Sequence, residues 1–240
     1  IIQLIKKQKP DVICFQEYFY DNTKKFITRE IILKELGFNY YHESFTEESN
    51  ENSLFGLATF SKFPIINKGS LAFKNDRANH CMWSDIVCKS DTLRFFNTHL
   101  GSIRFNYSDY KIIGGKGSPI RSNHKIPNQD IFNRLKIGFS KRAQQLNELI
   151  PFLEKSPHKR ILCSDLNDTP LSYAYNQLSN LFADSFTKSG FGIGGTYIGK
   201  IPFLRIDYIW HDKGLDSFNF KTHQNQLSDH KAISVEILLR

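Results

Sequence analysis

The chain has 240 residues, 40% of them hydrophobic, 23% charged and 14% aromatic, with a formal net charge of +8. With 21 Phe and 10 Tyr to pack, disordered, collagen-like and coiled-coil classes are excluded, and the length suits one domain with a sizeable core. No apolar run approaches the ~18–20 residues needed to cross a bilayer, so a soluble domain is expected.

Residues 1–7 read as the tail of an amphipathic helix that stops before Pro10. Ile1 is not an initiator residue and no signal peptide is in view. The chain is therefore read as a fragment, truncated at its N-terminus. Asp11 to Glu17 reads as a strand whose apolar run Val12-Ile13-Cys14-Phe15 is buried on both faces and which Gln16 and Glu17 end. A helix is expected over Asn22–Leu36, with Gly37 as its stop. Strands follow at Leu54–Phe60 and Ile65–Phe73. A hairpin is expected from His80–Cys88 and Thr92–Leu100. Gly101–Asn128 is a long irregular stretch, and loops of that length in compact domains are usually functional.

A helix resumes over Gln129–Leu153, with Ala143, Leu146, Leu149 and Ile150 on one face. Arg160–Ser164 is a short strand, Ser172–Leu178 a helix, and Thr196–Tyr197, Arg205–Trp210 and Val235–Leu239 are strands. No repeat and no linker divides the chain, so residues 1–240 form one domain in which strands and helices interleave. The four cysteines, Cys14, Cys81, Cys88 and Cys163, show no CxxC pairing and are expected to be small buried hydrophobes.

Charge is concentrated. Between Gly101 and Gln145, nine basic residues stand against Asp109 and Asp130, which accounts for most of the excess. Such a patch favours a phosphate-bearing partner, although a solvated loop and helix face is the plain alternative. Several familiar motifs fail. Gly190–Gly195 fits G-x-G-x-x-G by letter, but Thr196-Tyr197-Ile198 and Pro202 follow it instead of a helix. P-loop, G-x-S-x-G and H-E-x-x-H patterns do not occur.

Polar residues at the ends of apolar strands remain: Gln16-Glu17, Asn97-Thr98-His99, Asp165 with Asn167, Asp207, and Ser228-Asp229-His230. Singly, each reads as a surface carboxylate or a satisfied histidine. Together they would cost desolvation unless they pair with one another or with a metal. Carboxylates and Asn without a Cys/His cluster suit a hard cation, Mg²⁺ or Mn²⁺. A hard cation beside His, amide and basic groups is the equipment of phosphoryl transfer.

The ordered set Gln16-Glu17, Asn97-Thr98-His99-Leu100, Ser164-Asp165-Leu166-Asn167-Asp168-Thr169-Pro170, Arg205-Ile206-Asp207-Tyr208-Ile209 and Ser228-Asp229-His230 resembles the endonuclease/exonuclease/phosphatase superfamily. The resemblance implies an α/β (α+β) four-layer sandwich, two packed mixed β-sheets flanked by helices, with the site at one rim. It implies that Glu17 ligates a divalent metal, Mg²⁺ or Mn²⁺, and that Asp229 does so directly or through water. Asp165 would orient or deprotonate the attacking water, and Asn167 would hold that water or the phosphate. His230 would contact the scissile phosphate, with Asp207 fixing its tautomer and keeping it charged. His99 would donate to a non-bridging oxygen, and Asn79 would be a further phosphate contact.

Two departures stand out. The family's first strand, which ends in an Asn some 25–30 residues before the Gln-Glu, is missing from this chain, since only sixteen residues precede Glu17. Ser164 stands where the family usually has Gly. Bacterial members resembling this chain often carry membrane helices upstream. The basic segment after His99 is expected to overhang the site, with Arg104 and Tyr107 gripping the substrate. The partner is then a phosphate ester, either nucleic acid or an anionic lipid head group, with no organic cofactor and the protein a monomer. The reading is a metal-dependent phosphodiesterase of nuclease type. Its rivals are a phosphoinositide or sphingolipid phosphoesterase at a membrane surface and an inactive phosphate-binding protein of the same fold.

Overall fold

The structure, a computed structural model, describes residues 1–25, 28–46, 49, 52–103, 127–199, 203–224 and 227–239. In chain order the elements are α1 (Ile2–Gln8), β1 (Val12–Asp21), α2 (Thr28–Leu36), β2 (Tyr40–Phe45), β3 (Ser53–Ser61), β4 (Ile65–Ala72), β5 (His80–Cys88) and β6 (Asp91–His99). They continue with α3 (Pro127–Glu154), β7 (Lys159–Asp165), α4 (Tyr173–Leu181), β8 (Phe182–Asp184), α5 (Ser185–Ser189), β9 (Asp207–Asp212), β10 (Asp216–Thr222) and β11 (Ile233–Leu238). Six strands form a mixed sheet in the order β4-β5-β6-β7-β9-β8, in which only β6 and β7 run parallel. Against its inner face lie the antiparallel unit β1-β3-β2 and the hairpin β10-β11.

Alternation of side chains along the strands builds the layers. Ile86, Leu93, Phe95 and Ile161 point into the space between the sheets. Phe96, Leu162 and Trp210 point the other way, onto Leu146, Leu149 and Leu153 of α3 and Ala174 and Leu178 of α4. On the opposite outer side, Ile5 of α1 and Ile32 of α2 cover Tyr18, Tyr20 and Phe60. Helices outside and sheets within make the four layers the motif resemblance implies. Trp210 is fully buried, and its Nε1 donates to Ser164 Oγ at 3.0 Å, so the Ser in place of Gly has a partner of its own. Among the described residues no helix is long and apolar enough to cross a membrane.

Several elements differ from expectation. The first strand does not end at Glu17 but runs to Asp21, with a register shift between Phe15 and Tyr18. A bulge lets a strand continue past a polar pair while re-aiming one side chain. Its Val12–Phe15 run is half-buried, not buried on both faces. The helix expected from Asn22 starts at Thr28. The unpredicted elements are β2, β8, α5 and β10. Each is short and lacks a clean apolar period. Thr196–Tyr197 contributes only an isolated bridge, Tyr197 to His230. All four cysteines are free; Cys81 and Cys88 are buried, while Cys14 and Cys163 are half-buried.

One buried base between the sheets has a measurable consequence. His42 on β2 bonds Ser84 Oγ on β5 through Nδ1 at 3.1 Å. Burial, with the Lys68 charge adding, pushes the ring down from 6.5 to about 4. The folded state therefore holds a neutral ring where the unfolded chain takes up a proton. Stability tied to this site is complete above pH 6.5 and is lost as pH falls toward 4, a loss of about 3 kcal/mol. Urea unfolding at pH 7 and pH 4 should show wild type losing more stability than His42→Gln. An identical loss in both would contradict the assignment.

Candidate active site

The same alternation that builds the core delivers the site. Along β6, Leu93, Phe95 and Asn97 face the second layer, and His99 is next on that face at the strand end. Register pairs His99 with Asp165 on β7, and Asp165 with Asp207 on β9. Three polar residues therefore stand in one row across three adjacent strands, at the rim of the sandwich. Just inside the row, Asn97 Nδ2 donates to the carbonyls of Phe15 and Ala58, and its Oδ1 accepts from Gln16 Nε2 at 2.6 Å. This ties the Gln16-Glu17 bulge of β1 to the row.

His230 closes the site from the segment before β11. Its Nδ1 lies 3.0 and 3.1 Å from the two Asp207 oxygens and 3.9 Å from Asp165 Oδ2. Burial alone would lower this ring. The hydrogen bond and charge of Asp207, with Asp165 and Asp229, outweigh burial and raise it to about 9, so the ring is an imidazolium at neutral pH. Asp165 is moved the other way. Burial first, then the charges of Asp207 and Glu17, push its carboxyl well above the usual carboxylate range. Its Oδ1 accepts the Asn167 backbone N–H at 2.8 Å.

Asn167 is held by two contacts: Nδ2 donates to the Leu100 carbonyl at 3.0 Å and lies 3.0 Å from His99 Nε2. Burial lowers the His99 ring, so the neutral ring accepts there. The same Nε2 lies 3.6 Å from Asp165 Oδ2 and 3.9 Å from Glu17 Oε1. With Asn167 Nδ2 donating, the neutral ring is the Nδ1–H tautomer; a donor role for His99 at Nε2 requires the other tautomer, with the proton on that nitrogen. Glu17 and Asn167 both occupy the left-handed region, at φ 51° and 50°. Asn tolerates that conformation; for Glu it is uncommon and costs on the order of 1–3 kcal/mol. The strain turns the Glu17 carboxylate out of the sheet, 74% exposed, beside His99.

The remaining expected residues fall as follows. Asn79 is buried at the start of β5, its Nδ2 donating to Asp76 Oδ2 at 2.9 Å. Asp229 is exposed, its carboxylate accepting from Ser228 Oγ at 3.1 Å. Arg104 and Tyr107, with most of the basic segment, lie outside the described residues. Arg142, counted above in the basic patch, is not a surface group: it is 1% exposed and paired with Asp168. Sequence reasoning also passed over Thr196. Its buried Oγ1 accepts the N–H groups of Ile206 and Asp207, and its carbonyl accepts from Lys231, so it joins the strand of Asp207 to the segment of His230. Only the short Gly-Gly-Thr-Tyr run hinted at a feature there.

Among the described residues, Asp165, Asp207 and His230 are the compact group that could offer metal donors, one atom each within 4.8 Å. A protonated His230 has no lone pair to give, so the ring is a counter-charge and not a ligand. The donors left are carboxylate oxygens; burial is the main cause of the raised Asp165 carboxyl, and the charges of Asp207 and, less, Glu17 add to it. That excess of negative oxygen fits a hard divalent cation.

The profile of the Endonuclease/Exonuclease/phosphatase family matches residues 1–230, and the chain belongs to that family. Solved structures share the fold. An endonuclease/exonuclease/phosphatase from Bacteroides vulgatus superposes with TM-score 0.71 at 13% identity, covering 100% of this chain and 88% of its own. The mannosyl-6-phosphatase of Bacteroides thetaiotaomicron gives 0.63 at 14% identity, covering 99% and 89%. The human Nocturnin catalytic domain gives 0.61 at 17% identity, covering 98% and 84%. No curated protein matches in sequence.

Proposed function

We propose that this protein is a divalent-metal-dependent phosphodiesterase that attacks phosphorus with water. The observation that carries the reading is the row His99–Asp165–Asp207 closed by a charged His230. Asp165, with its raised carboxyl, accepts the proton of the attacking water while that water's oxygen bonds to phosphorus and the ester P–O bond breaks. His230, held charged by Asp207, donates to a phosphate oxygen as negative charge builds there. Asn167 orients the water or the phosphate through its amide. Mg²⁺ or Mn²⁺, held by Glu17 with Asp229 directly or through water, supplies positive charge to a phosphate oxygen when bound. The strained, outward Glu17 suits that duty better than any structural one.

Turnover of bis-p-nitrophenyl phosphate and p-nitrophenyl phosphate with Mg²⁺ tests the substrate class. The diester should be the faster substrate. A faster monoester would make the protein a phosphatase, and no turnover of either would leave a phosphate-binding protein.

A further inference from the structure

Past the end of the β6–β7 ladder, the loops that carry the site residues are no longer held by sheet pairing. The Leu100 N–H on the Asp165 carbonyl at 2.9 Å and the Tyr208 hydroxyl on the Asp168 carbonyl at 2.8 Å tie each loop to the sheet, and one face of α3 joins the loops to one another. Arg142 is almost fully buried, with Nε donating to Asp168 Oδ2 at 2.9 Å and Nη1 donating to the Gly101 carbonyl at 3.0 Å. Gly101 is two residues beyond His99, and Asp168 is one beyond Asn167. Three residues further along α3, Gln145 Oε1 accepts the Gly101 N–H at 3.0 Å, and its Nε2 donates to Asp76 Oδ2 at 2.5 Å. Asp76 is the carboxylate that also holds Asn79. Positions three apart lie on the same side of a helix. The approach is close: a Cβ at Gly101 would lie 2.9 Å from Lys141 Cδ, and one at Gly138 would lie 2.6 Å from Ile103.

We propose that Arg142 and Gln145 are positioning residues, a two-pronged clamp on α3 that sets the spacing of the segment carrying Asn79, the loop that follows His99 and the loop carrying Asn167. The inference rests on the phosphodiesterase reading above. A buried guanidinium is a costly way to join two loops if only stability is at stake. Its planar fork, reaching two partners at once, sets a spacing that a flexible ammonium does not. The group fixed is the Asn167 amide, whose contacts with Leu100 and His99 span the two loops that Arg142 joins.

The test is a double-mutant cycle read alongside amide exchange. Arg142→Lys keeps the charge opposite Asp168 and gives up the fork. It should lower kcat for the diester about 10-fold to 100-fold with little change in KM. In an Asn167→Ala background the same substitution should cost less than about threefold. The Gly101 and Asn167 amides should exchange faster while the amides of β6 and β7 do not change. Gln145→Met, which releases the Gly101 amide and leaves the ion pair alone, should repeat the pattern should Arg142→Lys not fold. Equal losses in both backgrounds, or unchanged loop exchange with wild-type turnover intact, would overturn the clamp alone. A wild-type protein inactive on the diester would overturn the clamp's catalytic role together with the function it serves.

Discussion

Asp165→Asn should lower kcat by ~10³-fold or more and leave the fold intact. The substitution keeps the shape and the Oδ1 acceptor for the Asn167 N–H. What it removes is the ionisable group placed to take the proton from water. Its effect on stability should run opposite to its effect on activity. In the native protein the carboxyl is buried, faces Asp207 and Glu17, and sits well above the usual carboxylate range. The folded state therefore bears a cost whenever this carboxyl is ionised. An amide removes that cost, so Tm measured with a chelator present should match or exceed that of wild type. A loss of activity below tenfold, or one matched by an equal loss of folded protein, would remove Asp165 from the chemistry.

His230→Ala should cost a similar ~10³-fold in kcat, for a different reason. The ring is the one positive charge among the carboxylates of the described site, and the two oxygens of Asp207 hold it charged. Without it a phosphate would meet Asp165 and Asp207 unscreened. Asp207→Asn should move turnover in the same direction by less, because the ring stays while the group that keeps it protonated goes. If Asp207→Asn exceeded His230→Ala, Asp207 would act directly and not through the ring. Steady-state kinetics of the two variants on the diester decide between these cases.

Much of the site could be read in the sequence because its residues sit at the ends of apolar runs. Phe95-Phe96, Ile161-Leu162 and Tyr208-Ile209 announce strands, and the polar residue beside each run marks a rim. That His99, Asp165 and Asp207 share a row is a matter of register, which needs the three strands to be placed side by side. Glu17 looked like a strand terminus because a Gln-Glu pair interrupts an apolar run; a bulge with positive φ gives the same local pattern. Arg142 was misread as surface charge because burial of a cation depends on a partner 26 residues away. Helical phase held the clue. Arg142 is four residues before Leu146 and seven before Leu149, in the buried stripe of α3. The short elements β8, α5 and β10 left no such mark, since too few residues repeat for a period to emerge.

Removing and restoring a divalent cation during diester hydrolysis tests the central claim most directly. Turnover of bis-p-nitrophenyl phosphate should disappear in EDTA, return with excess Mg²⁺ or Mn²⁺, and not return in Asp165→Asn under the same cation. Hydrolysis that persists in EDTA, or that Asp165→Asn restores as fully as wild type, would contradict the account.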